Sequence, residues 1–235
     1  MKLGYTLLFG FTIGAFTASA QEASYNTVIA KVSLAPPTRL QDVLSTHLDP
    51  KPFPDVNGTP FFDENWTLAN IKAEGKALTY DSVSVRLNLY TNTVHFKNDQ
   101  GEEMGVALKV EWIKIIDQNS QWYNTVFLCN FDQEPGFYRV LEDGGKVKLL
   151  SRVTKYISEV QPLGSEKIKT FETQGNLFFA SGSRLYKSSK LCSTIGIREA
   201  FDNNDKIFDY ISANDLHCNK EEDMRKLVRY YTAVK

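Results

Sequence analysis

Three histidines stand far apart in this 235-residue chain, His47, His95 and His217, with no His-x-His or His-x-x-x-His spacing. Metal ligands must converge, through such spacings or through paired cysteine motifs, so no metal centre is expected. His217-Cys218 is the only neighbouring His/Cys pair, and adjacent side chains diverge on a strand or at a helix end. His95 alternates with Val94 and Phe96, a pattern that assigns it to the solvated face of a strand. A serine nucleophile needs a sharp elbow such as Gly-x-Ser-x-Gly. The nearest string, Ala180-Ser181-Gly182-Ser183, reads as a hairpin turn. Glycosidase chemistry needs two carboxylates facing each other across a cleft. Asp63, Glu64, Glu111 and Asp132 are eligible, but with 28 acidic residues in the chain spacing selects none of them. Gly144-Gly145 belongs to a turn and opens no helix that would cradle phosphate. The run 99–103 lacks the ligand spacing and closing Glu of a calcium loop, and reads as a charged hairpin tip. The residues therefore point to a non-catalytic protein without a cofactor.

Aromatic side chains are the chemistry that remains. Trp66, Trp112, Trp122 and Tyr123 fall near strand ends, and Tyr230 and Tyr231 close the last helix. On a β scaffold, exposed rings with polar neighbours suit sugar rings or the apolar anchors of a protein partner. The first four are the candidate ligand or partner contacts; the competing use of such rings is core or rim packing. Net charge is −1, which leaves no basic face to release counterions from a nucleic acid. Hydrophobic content of 42% against 23% charged residues is that of a folded globular chain.

The elements that would position these rings begin after a leader. Lys2 and the amino terminus precede an apolar stretch over 3–16, and Ala18-Ser19-Ala20 supplies the small side chains that signal peptidase accepts. Cleavage is expected after Ala20, followed by Gln21 and not by a cysteine for lipidation. The product is a periplasmic or extracellular protein without an integral membrane segment. Three cysteines remain, Cys129, Cys192 and Cys218. An oxidising compartment permits one disulfide and leaves one thiol over. Cys129 lies in the apolar run 125–129 and reads as a small buried hydrophobe. Cys192 and Cys218 are the candidate pair, with connectivity left open by spacing alone.

Residues 21–59 form an irregular lead-in. It holds Pro36, Pro37, Pro50, Pro52 and Pro54, an extended apolar piece at 28–32, and a short helical face through Leu40, Val43, Leu44 and Leu48. Period-two alternation over 83–89 marks a half-buried strand, and the turns 90–93 and 98–101 lead into two more. Further strands are expected at 110–116, 122–131, 137–141 and 146–156, with Gly144-Gly145 as a hairpin. After a polar break at 161–166 come strands at 169–173, 177–180 and 183–187. Asp202-Asn203-Asn204-Asp205 caps a helix carrying Ile207, Tyr210 and Ile211. Asn219 with Glu222 predicts a capping box for the last helix, whose stripe is Met224, Leu227, Val228 and Tyr231.

Five segments carry a family resemblance: 58–66 with its Gly-Thr-Pro-Phe opening, 85–96, the hairpin 136–150, 176–186 and the terminal helix 221–231. In this order they resemble an uncharacterised family of exported proteins common in Bacteroidota. The resemblance covers about Gly58 to Tyr231. It implies a compact stand-alone exported protein without an established activity, and so contributes no site residues. Where the family shows a Lys/Ser-rich helix start, this chain has Leu191-Cys192-Ser193-Thr194.

The expected fold is α+β and mainly β: an antiparallel sheet, sandwich or open barrel, followed by a short C-terminal helical segment. Its parts are a signal peptide (1–20), the lead-in (21–59), the β domain (60–190) and a helical segment packed on it (191–235). The expected function is an exported binding or protein-interaction module of the cell envelope, presenting a face or edge to another envelope protein. The alternative is a small-molecule binder, for lipid or glycan, with a cavity inside the sheet lined by Phe96, Trp112, Phe127 and Phe178.

Overall fold

The computed structural model describes residues 45–48, 53–75, 79–106, 109–164, 166–189, 192 and 194–234. The leader, its cleavage point, the apolar piece at 28–32, and Leu40, Val43 and Leu44 lie outside them. The strands are β1 (Ser45–His47), β2 (Val56–Asn57), β3 (Thr67–Ala73), β4 (Thr79–Asn88), β5 (Thr93–Lys97) and β6 (Glu103–Val106). They continue with β7 (Val110–Ile115), β8 (Val126–Leu128), β9 (Tyr138–Gly144), β10 (Val147–Val160), β11 (Ile168–Ser181) and β12 (Arg184–Lys187). Three helices follow: α1 (Ile195–Ala200), α2 (Asp205–Ala213) and α3 (Glu221–Ala233).

All twelve strands belong to one sheet that does not close, in the order β1-β6-β5-β4-β3-β7-β8-β9-β10-β11-β12. β2 pairs with β11 in parallel, off this path, and every other described pairing is antiparallel. Short hairpins dictate that arrangement, since antiparallel neighbours need only a turn between them. Asn88 makes one such turn: its Oδ1 accepts the N–H groups of Tyr90 and Thr91 at 3.0 Å each, and Asn92 adopts φ 54°. Three bulges, near Ala69–Ile71, Lys72–Ala73 and Leu149–Leu150, bend the strands that carry them.

Two main cores result. The first is built by β3 to β8, with Ile71, Val85, Leu87, Phe96, Ile113 and Phe127 buried together. The second lies between the C-terminal strands and the helices. On β10, Val147 and Leu149 join the helical core, while Leu150 packs with Tyr138 and Phe178 in a smaller third cluster. Period-two geometry sends these neighbours to opposite faces. The stripe Met224, Leu227, Val228 and Tyr231 of α3 is buried in the helical core. Its helix meets the sheet at Gly144, where a Cβ would stand 2.7 Å from both Val228 Cγ1 and Thr232 Oγ1, so a bare backbone admits it. Arg225 and Arg229 fasten α3 to β9 through Glu142 at 3.5 and 2.8 Å. A disulfide joins Cys192 to Cys218, with Cα atoms 5.1 Å apart, and so encloses α1 and α2.

Several expectations need correction. Residues 45–47 are a strand and not part of a helical face. The strand expected at 122–131 is confined to Val126–Leu128, because 122–124 turn the chain and Asn124 takes φ 63°. The two strands expected at 169–173 and 177–180 are one continuous strand, β11. The Asn219 capping box is absent: α3 starts at Glu221 with Lys220 at its N-cap. Asp223, which stands three residues after Lys220 where Glu222 would follow Asn219, accepts the His217 N–H at 3.2 Å. Asn204 caps α2 as its run implies, accepting from the Lys206 N–H at 3.1 Å.

Candidate functional site

On one face of β4, β5 and β6, Arg86 and His95 sit opposite each other and Glu103 lies beside Lys97. Arg86 Nη2 donates to both Glu103 oxygens at 2.8 Å, and His95 Nδ1 is 2.7 Å from Glu103 Oε1. The guanidinium rests 4.0 Å from the Phe61 ring centre and 4.4 Å from that of Trp66. The Lys97 ammonium lies 4.8 Å over the same indole. Trp66 is thereby occupied by two cations of its own sheet, an arrangement that fixes the side chains at some gain in stability. The alternation does set His95 opposite Val94 and Phe96, but its face is not solvated. Phe61 meets the imidazole edge to face at 5.1 Å, and His95 is only 6% exposed.

Burial raises the Glu103 pKa, but the His95 and Arg86 hydrogen bonds and the Arg86 charge outweigh it and hold the carboxyl below its ordinary 4.5. A depressed carboxylate pKa contributes stability that is complete above the unfolded value and is lost as pH falls through the folded one. Glu103→Gln should therefore melt below the wild type at neutral pH, and the gap should close as the pH falls from the ordinary glutamate value through the lowered one. Thermal melts across that range check this; a gap that stays constant to roughly pH 2 refutes it.

Trp122 is tied down differently. Its Nε1 donates to Asp63 Oδ2 at 3.1 Å, its ring lies 4.6 Å from Phe62, and it packs against the first core. Tyr123 follows it on the turn and is exposed. Trp66 and the Asp63 that Trp122 holds line one polar hollow of about 370 Å³, together with Asp117 and Asn119. Trp112 stands apart on β7, between Lys72 and Leu128 in register, beside a groove of about 200 Å³. Phe96 and Phe127 belong to the first core and Phe178 to the third cluster, so these rings and Trp112 do not surround one cavity.

The strands expected at 146–156, 169–173 and 177–180 run longer than their patterning announces, as the β10–β11 hairpin. β9 pairs with β10 only as far as Arg152, and β12 pairs with β11 only from Phe178 onward. Beyond them β10 and β11 continue as a hairpin arm, from the pair Val153↔Gly175 to the pair Val160↔Ile168, with β2 laid in parallel along β11 at Lys169 and Thr170. One face of the arm rests on the body. Phe171 packs edge to face on Phe53 and Tyr90 at 5.4 and 5.5 Å, and Lys155 Nζ donates to the Thr59 carbonyl at 2.6 Å. The opposite face and the tip present Tyr156, Val160, Leu163 and Ile168 to solvent, Leu163 completely. Val160 and Ile168 are cross-strand partners and share a face. The Lys155 N–H reaches the Leu89 carbonyl at 3.4 Å, and beyond it no described strand pairs with the outer edge of β10. The signal for this arm was the trio Val160, Leu163 and Ile168 around a break that otherwise reads as polar loop.

Among the described residues, no three His, Cys, Asp or Glu side chains converge to hold a metal, and no helix is long and apolar enough to cross a membrane. Comparison with known proteins finds no matching family model, curated protein or solved structure.

Proposed function

We propose that this chain is a non-catalytic protein-interaction module of the cell envelope, exported by its leader and released near Ala20, and that it engages another envelope protein through the β10–β11 arm. The observation that carries this reading is the arm itself, whose β10 edge pairs with no described strand beyond Arg152 and whose outer face and tip hold Val160, Leu163 and Ile168 in solvent. Isolated apolar side chains on a surface need no explanation, but here half of the large exposed apolar residues among those described gather on one hairpin. A partner strand laid along the open edge of β10 would satisfy backbone groups, and the apolar face would supply anchors. Burying each of the three aliphatic side chains is worth about 1.5–3 kcal/mol before ordering costs are subtracted.

A photo-crosslinking residue at position 163, activated in the intact envelope of the producing cell, tests the reading. One dominant protein adduct is expected, and it should vanish in the Val160→Asp/Ile168→Asp variant. The same probe at exposed Ile195, on the helical segment, provides the comparison. Adducts equally abundant at both positions, or none at 163, would overturn the proposal.

A further inference from the structure

A second site lies at the end of the first core. Val94 on β5, Val106 on β6, Val110 on β7, and Phe131 and Phe137 beyond β8 form the floor of an open cleft of about 470 Å³. Each is almost fully buried, yet together they leave a hollow within the size range of small-molecule sites. Cys129 contributes to the wall, and burial pushes its thiol pKa up, so it meets a ligand as a neutral, polarizable surface. One wall, Pro135 to Phe137, is fixed in advance through Glu134 before it. Arg152 pairs with Glu134 and donates to the Pro135 carbonyl at 2.8 Å, while the Tyr138 hydroxyl donates to the Glu134 carbonyl at 2.6 Å. A wall held this way needs no ordering when a ligand enters.

The charges at the rim decide what kind of ligand. Glu74, Lys109 and Asp132 are the charged residues lining the cleft. Lys109 is spoken for, 3.2 Å from Asp132 and 3.9 Å from Glu74. Two carboxylates around one paired ammonium leave an acidic rim over an apolar floor. An anionic head group would have to displace Asp132 from Lys109, whereas a cationic head finds both carboxylates within reach.

We propose that this cleft binds a small cationic amphiphile, its alkyl portion on the valine and phenylalanine floor and its positive head between Glu74 and Asp132. The site is separate from the arm and does not depend on the function proposed for it.

Titrating methyl-labelled protein with monomeric decyltrimethylammonium, and in parallel with decanoate, tests the proposal by NMR. Saturable shifts are expected at the Val94, Val106 and Val110 methyls, with decanoate binding about fivefold or more weakly. Lys109→Glu, at a largely exposed side chain, should raise the affinity for the cation several-fold. Cys129→Phe should fill the cleft and abolish the shifts; if that variant does not fold, the Lys109→Glu result decides alone. Shifts that appear instead at Val160 and Leu163, equal binding of the two head groups, or no saturable shift would each overturn the assignment.

Discussion

Leu227→Asp is expected to undo the helical layer, lowering stability by about 4–5 kcal/mol and the melting temperature by roughly 10–15 °C. Leu227 is fully buried in the centre of the α3 stripe, in one cluster with Val147, Leu149 and Phe179 of the sheet and Phe201 after α1. Losing its burial removes about 1.5–3 kcal/mol, and the new carboxylate must either shed its hydration or take up a proton to stay. Since whole domains are stable by only about 5–15 kcal/mol, that sum consumes a large part of the margin. Leu227→Met, which keeps the volume, should cost less than about 1.5 kcal/mol. Thermal melts of the three proteins decide the matter. An aspartate variant that melts with the wild type would mean that α3 is not docked by this stripe.

Breaking the Cys192–Cys218 bridge should have the next largest effect. Its ends are 26 positions apart, and closing such a loop restricts the unfolded chain by about 3.5 kcal/mol in the entropy account. Inside that loop lie α1 and α2, of 6 and 9 residues, both too short to hold as isolated helices. They are retained by burial of Ile197, Phe201, Ile207 and Ile211 and by the covalent tie at both ends of the loop. Reductant should lower the melting temperature by on the order of 10 °C. The Cys192→Ala/Cys218→Ala variant should melt at the reduced value and no longer respond to reductant. A wild type indifferent to reductant would show that the helices are held by packing alone.

Much of this architecture is legible in the sequence wherever one periodicity governs one element. The 3.6-residue stripe of α3 and the alternation of β4 each state which side chains are buried, and the structure buries Leu227 and Val85 accordingly. Readings fail where the deciding contact comes from elsewhere in the chain. Alternation places His95 opposite Val94, but Phe61 covers the face to which it turns. Local rules favour Asn219 as a cap, but Asp223 is engaged by the His217 N–H and the helix starts one residue later than that motif requires. The candidate aromatics show the same limit. Nothing near Trp66 in sequence announces that Arg86 and Lys97 will occupy it, or that Asp63 will hold the Trp122 indole. The length of the arm is not legible because its tip, Gln161-Pro162-Leu163-Gly164, is composed like an ordinary loop, and composition does not report how far β10 runs past β9.

The same arm governs how the molecule behaves when crowded with copies of itself. An open strand edge beside apolar side chains is the template on which fibrils grow. Here the salt bridge between Glu159 and Lys167 brackets the tip, and Lys169, also exposed, follows two residues on. Pro162 and Gly164 close the hairpin with residues that a stacked ladder does not accept. Charges and breakers placed this way act as gatekeepers, penalising stacking in register because each added copy would set like charges against like. On the proposed reading, the arm would stay open to one incoming strand while these charges and breakers oppose self-propagating assembly.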